Sequence, residues 1–200
     1  LRTFQEKVYA EVDRQILELG IENNGDGDRA DAYLYCMETT CPECGYRVPM
    51  SPSWVLGVGS CSTITLVENA ETKSYDFRVI MHATPEQMRQ GKESGTVIDG
   101  NLVCPHCGRS TPISTLRHDL TDVSGNTVYG LRLMKKSEFT AQSEDVFRER
   151  LYAVRYVKKD TEDSTERYYS APGPREYANE NKIHKILREK LEEWQMAEIV

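Results

Sequence analysis

Cys41-Pro42-Glu43-Cys44-Gly45 is matched, later in the chain, by Cys104-Pro105-His106-Cys107-Gly108. The match extends past the cysteines. Pro49 stands eight residues after Cys41 and Pro112 eight after Cys104, and Ser51 and Ser114 share an offset of ten. Two thiolates three residues apart in a tight turn can both reach one ion at ~2.3 Å, and the glycine lets the backbone turn back so that its N–H groups face the sulfurs. Two such turns supply four sulfurs in a tetrahedron. Cys41, Cys44, Cys104 and Cys107 are therefore the expected ligands of one structural zinc ion. A closed set of four cysteines leaves no position for a reacting water, so this zinc is not expected to do chemistry. Four thiolates on Zn²⁺ leave two excess negative charges, which backbone N–H groups and Arg47 or Arg109 are placed to offset.

Cys104-Pro105-His106-Cys107 also has the inner dipeptide of a strongly oxidising thiol–disulfide enzyme. That chemistry needs the motif to open a helix, whose N-terminus lowers the pKa of the first cysteine. Gly108-Arg109-Ser110-Thr111-Pro112 is poor helix, and a second Cys-x-x-Cys has no role in such an enzyme. Cys36, in the apolar run Ala32–Met37, reads as a small buried hydrophobe. Cys61 reads the same way or as partly exposed. His106 is an alternative ligand made redundant by the four cysteines. His82, His118 and His184 have no spaced partners.

Around the cysteines the pattern is mixed. Leu1, Phe4, Val8, Val12, Ile16 and Leu19 form the stripe of an amphipathic helix, closed by Gly20. Asn23 to Asp28 is an exposed loop. It lacks the bidentate Glu of a calcium loop, since the twelfth position is Tyr35 counted from Asn24 and Met37 counted from Asp26. Ala32–Met37 is a strand, and Thr63–Glu68 with Tyr75–Met81 forms a hairpin. Thr84-Pro85-Glu86-Gln87 has the cap, first-position proline and capping-box glutamine of a short helix that Gly91 ends. Thr96–Ile98 and Leu102–Val103 flank a turn at Asp99-Gly100-Asn101. Val128–Met134, Leu151–Lys158 and Thr165–Tyr169 read as strands, and Pro174 opens a final helix carrying Ile183, Ile186, Leu187, Leu191 and Trp194 on one face. The expected fold is α+β: a zinc ribbon, with its two knuckles on short antiparallel strands, flanked by N- and C-terminal helices. The expected divisions are 1–31 (amphipathic helix and loop), 32–134 (zinc-ribbon domain with an inserted hairpin) and 135–200 (β-hairpin and amphipathic helix).

Composition narrows the function. Apolar residues are 38% and charged residues 28% of the 200, a globular composition with no apolar run near the ~18–20 residues of a membrane span. No secretory leader opens the chain, which favours metal over disulfides and a cytoplasmic setting. The start at Leu1 rather than Met reads as a piece of something longer. The net charge of −7, most of it before residue 32, excludes the broad basic footprint of a dedicated nucleic-acid binder, so any DNA contact must use a local patch. Gly-x-Gly-x-x-Gly, the P-loop, Gly-x-Ser-x-Gly and Asn/Asp-Pro-Pro-Tyr are all absent. Carboxylate pairs such as Asp26/Asp28 and Glu192-Glu193 read as solvated faces.

Ala32-Tyr33-Leu34, Cys41-Pro42-Glu43-Cys44-Gly45, Val48-Pro49 and Ser53-Trp54 together resemble the zinc-ribbon region within large prokaryotic adenine-specific DNA methylases of the DUF1156 class. The preceding helix, the second cysteine pair, the Leu151–Val157 strand, Tyr168-Tyr169 and the helix ending at Trp194 follow the family's order. The stretch between the cysteine pairs is longer and more polar than the family pattern. The resemblance implies a non-catalytic, zinc-binding piece of a DNA methyltransferase. Its S-adenosylmethionine site and Asp-Pro-Pro-Tyr lie elsewhere in the parent chain. The partners it implies are the rest of that parent and double-stranded DNA, met by Arg47, Arg109 and Arg117. The competing reading is a structural or protein-docking module that never touches DNA, which the acidic charge favours.

Overall fold

The structure is a computed structural model and describes residues 2–135, 138–159 and 166–197. Along the chain the elements are α1 (Arg2–Leu19), β1 (Arg29–Thr40), β2 (Arg47–Met50), β3 (Val55–Gly57), β4 (Ser62–Asn69), β5 (Ser74–Ile80) and α2 (Pro85–Glu93). There follow β6 (Val97–Ile98), β7 (Asn101–Val103), β8 (Ser110–Pro112), α3 (Ile113–Leu116), β9 (Leu120–Thr121), β10 (Thr127–Val128), β11 (Phe147–Val157), β12 (Arg167–Ser170) and α4 (Pro174–Met196). This is an α+β chain with antiparallel pairings and a helix toward each end. It divides into two compact units, Leu1–Tyr33 with Val154–Val200, and Leu34–Ala153.

In the first unit, α1 ends where the sequence places its stop. Gly20 takes φ 62°, a left-handed conformation costly for other residues, and its N–H donates to the Leu17 carbonyl. The helix forms as its periodicity predicts, yet Phe4, Val8 and Val12 all remain exposed. Leu1, the first residue of that stripe, lies outside the described residues. The following loop is organised by Asn24, whose Oδ1 accepts from the N–H groups of Asp26 and Asp28, each at 2.9 Å. β11 and β12 pair antiparallel, with Arg155 opposite Tyr169 and Val157 opposite Arg167. The expected start of β12 at Thr165 lies outside the described residues. Pro174 opens α4, and the Glu176 side chain accepts the Gly173 N–H at 2.7 Å.

In the second unit, β1 and β2 pair antiparallel around the first cysteine turn, and β7 and β8 around the second. β3, β4 and β5 form a separate three-stranded sheet. The capping box of α2 is present as the sequence predicts: Thr84 Oγ1 accepts the Gln87 N–H and Gln87 Oε1 accepts the Thr84 N–H. Gly91, however, does not end the helix, which runs on to Glu93. Its glycine is required by closeness, because a Cβ there meets the Thr63 Oγ1 at 1.9 Å. That approach lets the Gly91 carbonyl accept the Trp54 N–H at 2.8 Å, and Trp54 is almost wholly buried beside Phe77 and Tyr152.

The expected strand Val128–Met134 is a correction. Only Thr127–Val128 pairs, with Leu120–Thr121, and Tyr129 and Leu133 are exposed. Gly130 explains the break. Its N–H donates to Asp119 Oδ1 at 3.1 Å, and its Cα lies so close to the Arg117 and His118 carbonyls that a Cβ meets both at 2.3 Å. A backbone bent against another segment with its N–H taken by a side chain cannot continue a ladder.

Candidate metal centre

The two cysteine turns have the same backbone. In the first, the Cys41 N–H donates to the Tyr46 carbonyl and the Gly45 N–H to the Cys41 carbonyl. In the second, the Cys104 N–H donates to the Arg109 carbonyl and the Gly108 N–H to the Cys104 carbonyl. Gly45 and Gly108 are both left-handed, at φ 76° and 68°. The strand registers match as well: Thr40 faces Arg47 as Val103 faces Ser110, and Glu38 faces Pro49 as Asn101 faces Pro112. The shared proline offset in the sequence is thus a shared position, three residues back across each hairpin from its first cysteine.

The four sulfurs converge. All lie within 4.8 Å of one another, and the cross pairs Cys41–Cys107 and Cys44–Cys104 are 3.8 and 3.6 Å apart. A tetrahedral ion with bonds of ~2.3 Å sets its sulfurs ~3.8 Å apart, so the spacing fits zinc. It is far beyond the ~2.05 Å of a disulfide, and all six cysteines are free. No other group of three or more metal-ligating side chains converges among the described residues.

The surroundings suit bound thiolates. Cys44 receives the Tyr46 N–H and Cys107 the Arg109 N–H, at equivalent positions, and Cys104 receives those of His106 and Cys107. The Arg109 N–H holds the Cys107 thiol below its ordinary value. Burial pushes Cys44 and Cys104 up, so without an ion these two stay protonated. A cation that binds thiolate reverses that balance and releases protons. Cys41 and Cys104 also belong to the main apolar cluster of this unit, with Tyr46, Val48, Tyr75, Leu102 and Leu116. The cysteine cluster is therefore part of the core.

His106 is not among the converging ligands. Its ring stacks on Tyr46 at 3.8 Å between centroids, and its Nδ1 lies 3.1 Å from Glu68 Oε1. Tyr46 Oη donates to the same carboxylate oxygen at 2.8 Å. Glu68 on β4 thus ties both turns to the hairpin between them. Sequence reasoning missed this contact. His106 stands at the variable position of its turn, as Glu43 does in the other, but nothing in the sequence marks Tyr46 or Glu68 as its partners.

The second turn opens no helix; it runs into β8. The helical N-terminus that an oxidising thiol enzyme requires is not there. Cys36 on β1 is half-buried, and burial pushes its thiol up to about 12. Cys61 is exposed, at φ 45°. The structure places Arg47 at the start of β2, its guanidinium 4.0 Å from Glu38. Arg109 is exposed beside the second turn. Arg117 ends α3, and one of its guanidinium nitrogens pairs with Asp119 at 2.7 Å. No helix among the described residues is long and apolar enough to cross a membrane. Protein-family models, curated proteins and solved structures contain no match to this chain.

Proposed function

We propose that this chain is a structural zinc module, a zinc ribbon in the sense of two knuckles sharing one ion, and that it forms a non-catalytic region of a cytoplasmic adenine-specific DNA methyltransferase. The observation that carries the zinc reading is the convergence of Cys41, Cys44, Cys104 and Cys107 within 4.8 Å from two turns with matching backbone hydrogen bonds. Zinc supplies a cross-link between those turns, and this chain's residues hold it through four sulfurs and the N–H groups around them. The methyltransferase parentage rests on the residue pattern from Ala32 to Trp54. S-adenosylmethionine belongs to the parent chain in this reading. The role assigned to the module is target recognition or clamping of double-stranded DNA.

Metal analysis of the purified chain tests the first part: one zinc per chain is expected, and none sinks it. Anisotropy of a labelled duplex against the zinc-loaded chain tests the second. Phosphate contacts weaken with salt at a slope of about −0.9 per neutralised phosphate. Binding that ignores salt, or no binding at low salt, removes the DNA role.

The alternative is a docking module that meets protein only. The net charge of −7 favours it, as do the exposed Phe4, Val8 and Tyr9 on α1. Co-purification of the parent's remaining segments with zinc-loaded chain, in the absence of any DNA binding, is its expected signature.

A further inference from the structure

Beside the first cysteine turn, in the second unit, lies a cleft of about 440 Å³ reached by Thr40 and Pro42 on one side and Thr111 and Thr115 on another. Four charged side chains line it, Arg47, Arg148, Glu38 and Asp145. Each acid is held more closely by an arginine from outside the lining. Glu38, almost fully buried, pairs closely with Arg150, which also donates to the Tyr75 carbonyl at 2.6 Å. Asp145 is held by Arg132 through two parallel bonds of 2.6 Å each. Arg47 has only the distant approach to Glu38, at 4.0 Å, and Arg148 donates one N–H to the neutral Ser143 carbonyl at 2.7 Å. Two guanidinium groups therefore face one cleft whose acids are each bound more closely by another arginine, Arg47 keeping a 4.0 Å approach to Glu38 and Arg148 an attraction to Asp145. The Thr111 and Thr115 hydroxyls add donors without adding charge.

We infer that this cleft binds a phosphate group, clamped between the Arg47 and Arg148 guanidinium groups. Guanidinium presents paired donors that match tetrahedral oxyanions, and its charge is present at all working pH values. Glu38 and Asp145 line the same cleft and disfavour a second anion beside the first. The inference deepens the DNA-contacting reading above, and rests on it only for the source of the phosphate, which is either a phosphodiester of duplex DNA or a free phosphate ester.

The test is a titration of the zinc-loaded, isotope-labelled chain with inorganic phosphate at constant ionic strength, followed by amide and arginine side-chain signals. Signals of Thr40, Arg47, Thr111 and Arg148 are expected to move together and saturate. Arg47→Gln and Arg148→Gln are each expected to weaken the response roughly tenfold, the loss of one charge-assisted bond pair, with zinc content unchanged. Arg78→Gln, on the exposed face of β5, is expected to leave it alone. A short duplex is then added. Displacement of phosphate from the same signals assigns the site to the DNA backbone. Phosphate binding that the duplex does not disturb keeps the site, assigns it to a free phosphate ester and removes the DNA reading. A duplex that moves other signals while phosphate moves none overturns the site and leaves the DNA reading standing. No response to either probe overturns the site.

Discussion

The two units hold their strands by different means. In Leu34–Ala153 the centre is apolar and sulfur-rich: Cys41, Val48, Leu102 and Cys104 are nearly inaccessible and in contact in one cluster. In the other unit, among the described residues, the fully buried apolar side chains are Ala30, Val154 and Tyr156. There the ties are polar. Asp31 receives Arg155 at 2.8 Å and Arg167 at 2.7 Å, and Asp28 receives Tyr168 Oη at 2.6 Å and the Lys159 N–H at 3.0 Å. Tyr156 Oη donates to Glu176 at 3.0 Å. The comparison teaches where each unit is vulnerable. The first kind of centre is expected to fail when its cysteines or its packing is removed. The second fails when its carboxylates are neutralised.

The sharpest way to break that contrast is to remove the ion. Cys41→Ser with Cys44→Ser, or chelation of the native protein, is expected to abolish zinc binding and unfold Leu34–Ala153, since apparent binding energies at such sites reach on the order of 10 kcal/mol. Amide protection in α4 is expected to persist. Zinc retained at one per chain in the double variant defeats the shared site, and loss of α4 protection defeats the separation of the units. Next in size is Leu102→Ala, a cavity beside Cys104, expected to cost about 2–5 kcal/mol in urea unfolding and to loosen zinc at the same time. Thr84→Ala removes the α2 cap and is expected to cost about 1 kcal/mol, with zinc content unaffected.

The smallest effect belongs to the polar unit. The Tyr168 hydroxyl, with the Lys159 N–H, holds the Asp28 carboxyl below its ordinary range. A depressed carboxylate stabilises the fold above the unfolded value of ~3.9, and that contribution is lost as pH falls through its lower folded value. Melting followed from pH 6 down into that range is expected to show a decline that Asp28→Asn flattens. An unchanged slope in the variant places the acid sensitivity elsewhere.

The sequence was legible where local chemistry decides. The turns at the two cysteine pairs, the capping box at Thr84, the stop at Gly20 and the start at Pro174 all depend on residues within a few positions of one another. It was less legible where distant backbone decides. Gly91 reads as a helix stop from its neighbours, but its lack of a side chain serves contact with Thr63, which local reasoning cannot see. Gly130 similarly ends an apparently good apolar alternation because the Arg117–His118 backbone lies against it. In the candidate metal centre the convergence of Cys41, Cys44, Cys104 and Cys107 was readable from spacing alone. The Tyr46–His106 stack was not, since it joins residues that only the fold brings together, and Glu68 completes it from a hairpin with no marker of that role. Nor does the sequence reveal that residues at the two ends of the chain fold into one unit.

The two cysteine turns lie far apart along the chain, with Cys44 and Cys104 separated by 60 residues. An ion held by both therefore acts as a clasp on a ring of chain containing β3–β5 and α2. Closing a ring of that length restricts the unfolded chain by about 4 kcal/mol in the simplest polymer treatment of a cross-link. The same linkage runs in reverse. Whatever loosens the ring's interior must loosen the clasp, so zinc affinity becomes a gauge of folding at places that never touch the metal. Gly91→Ala, which drives a methyl group into Thr63, is then expected to weaken zinc binding in competition with a chelator dye, although residue 91 supplies no ligand. A cell short of zinc would lose the most strained variants of this ring first.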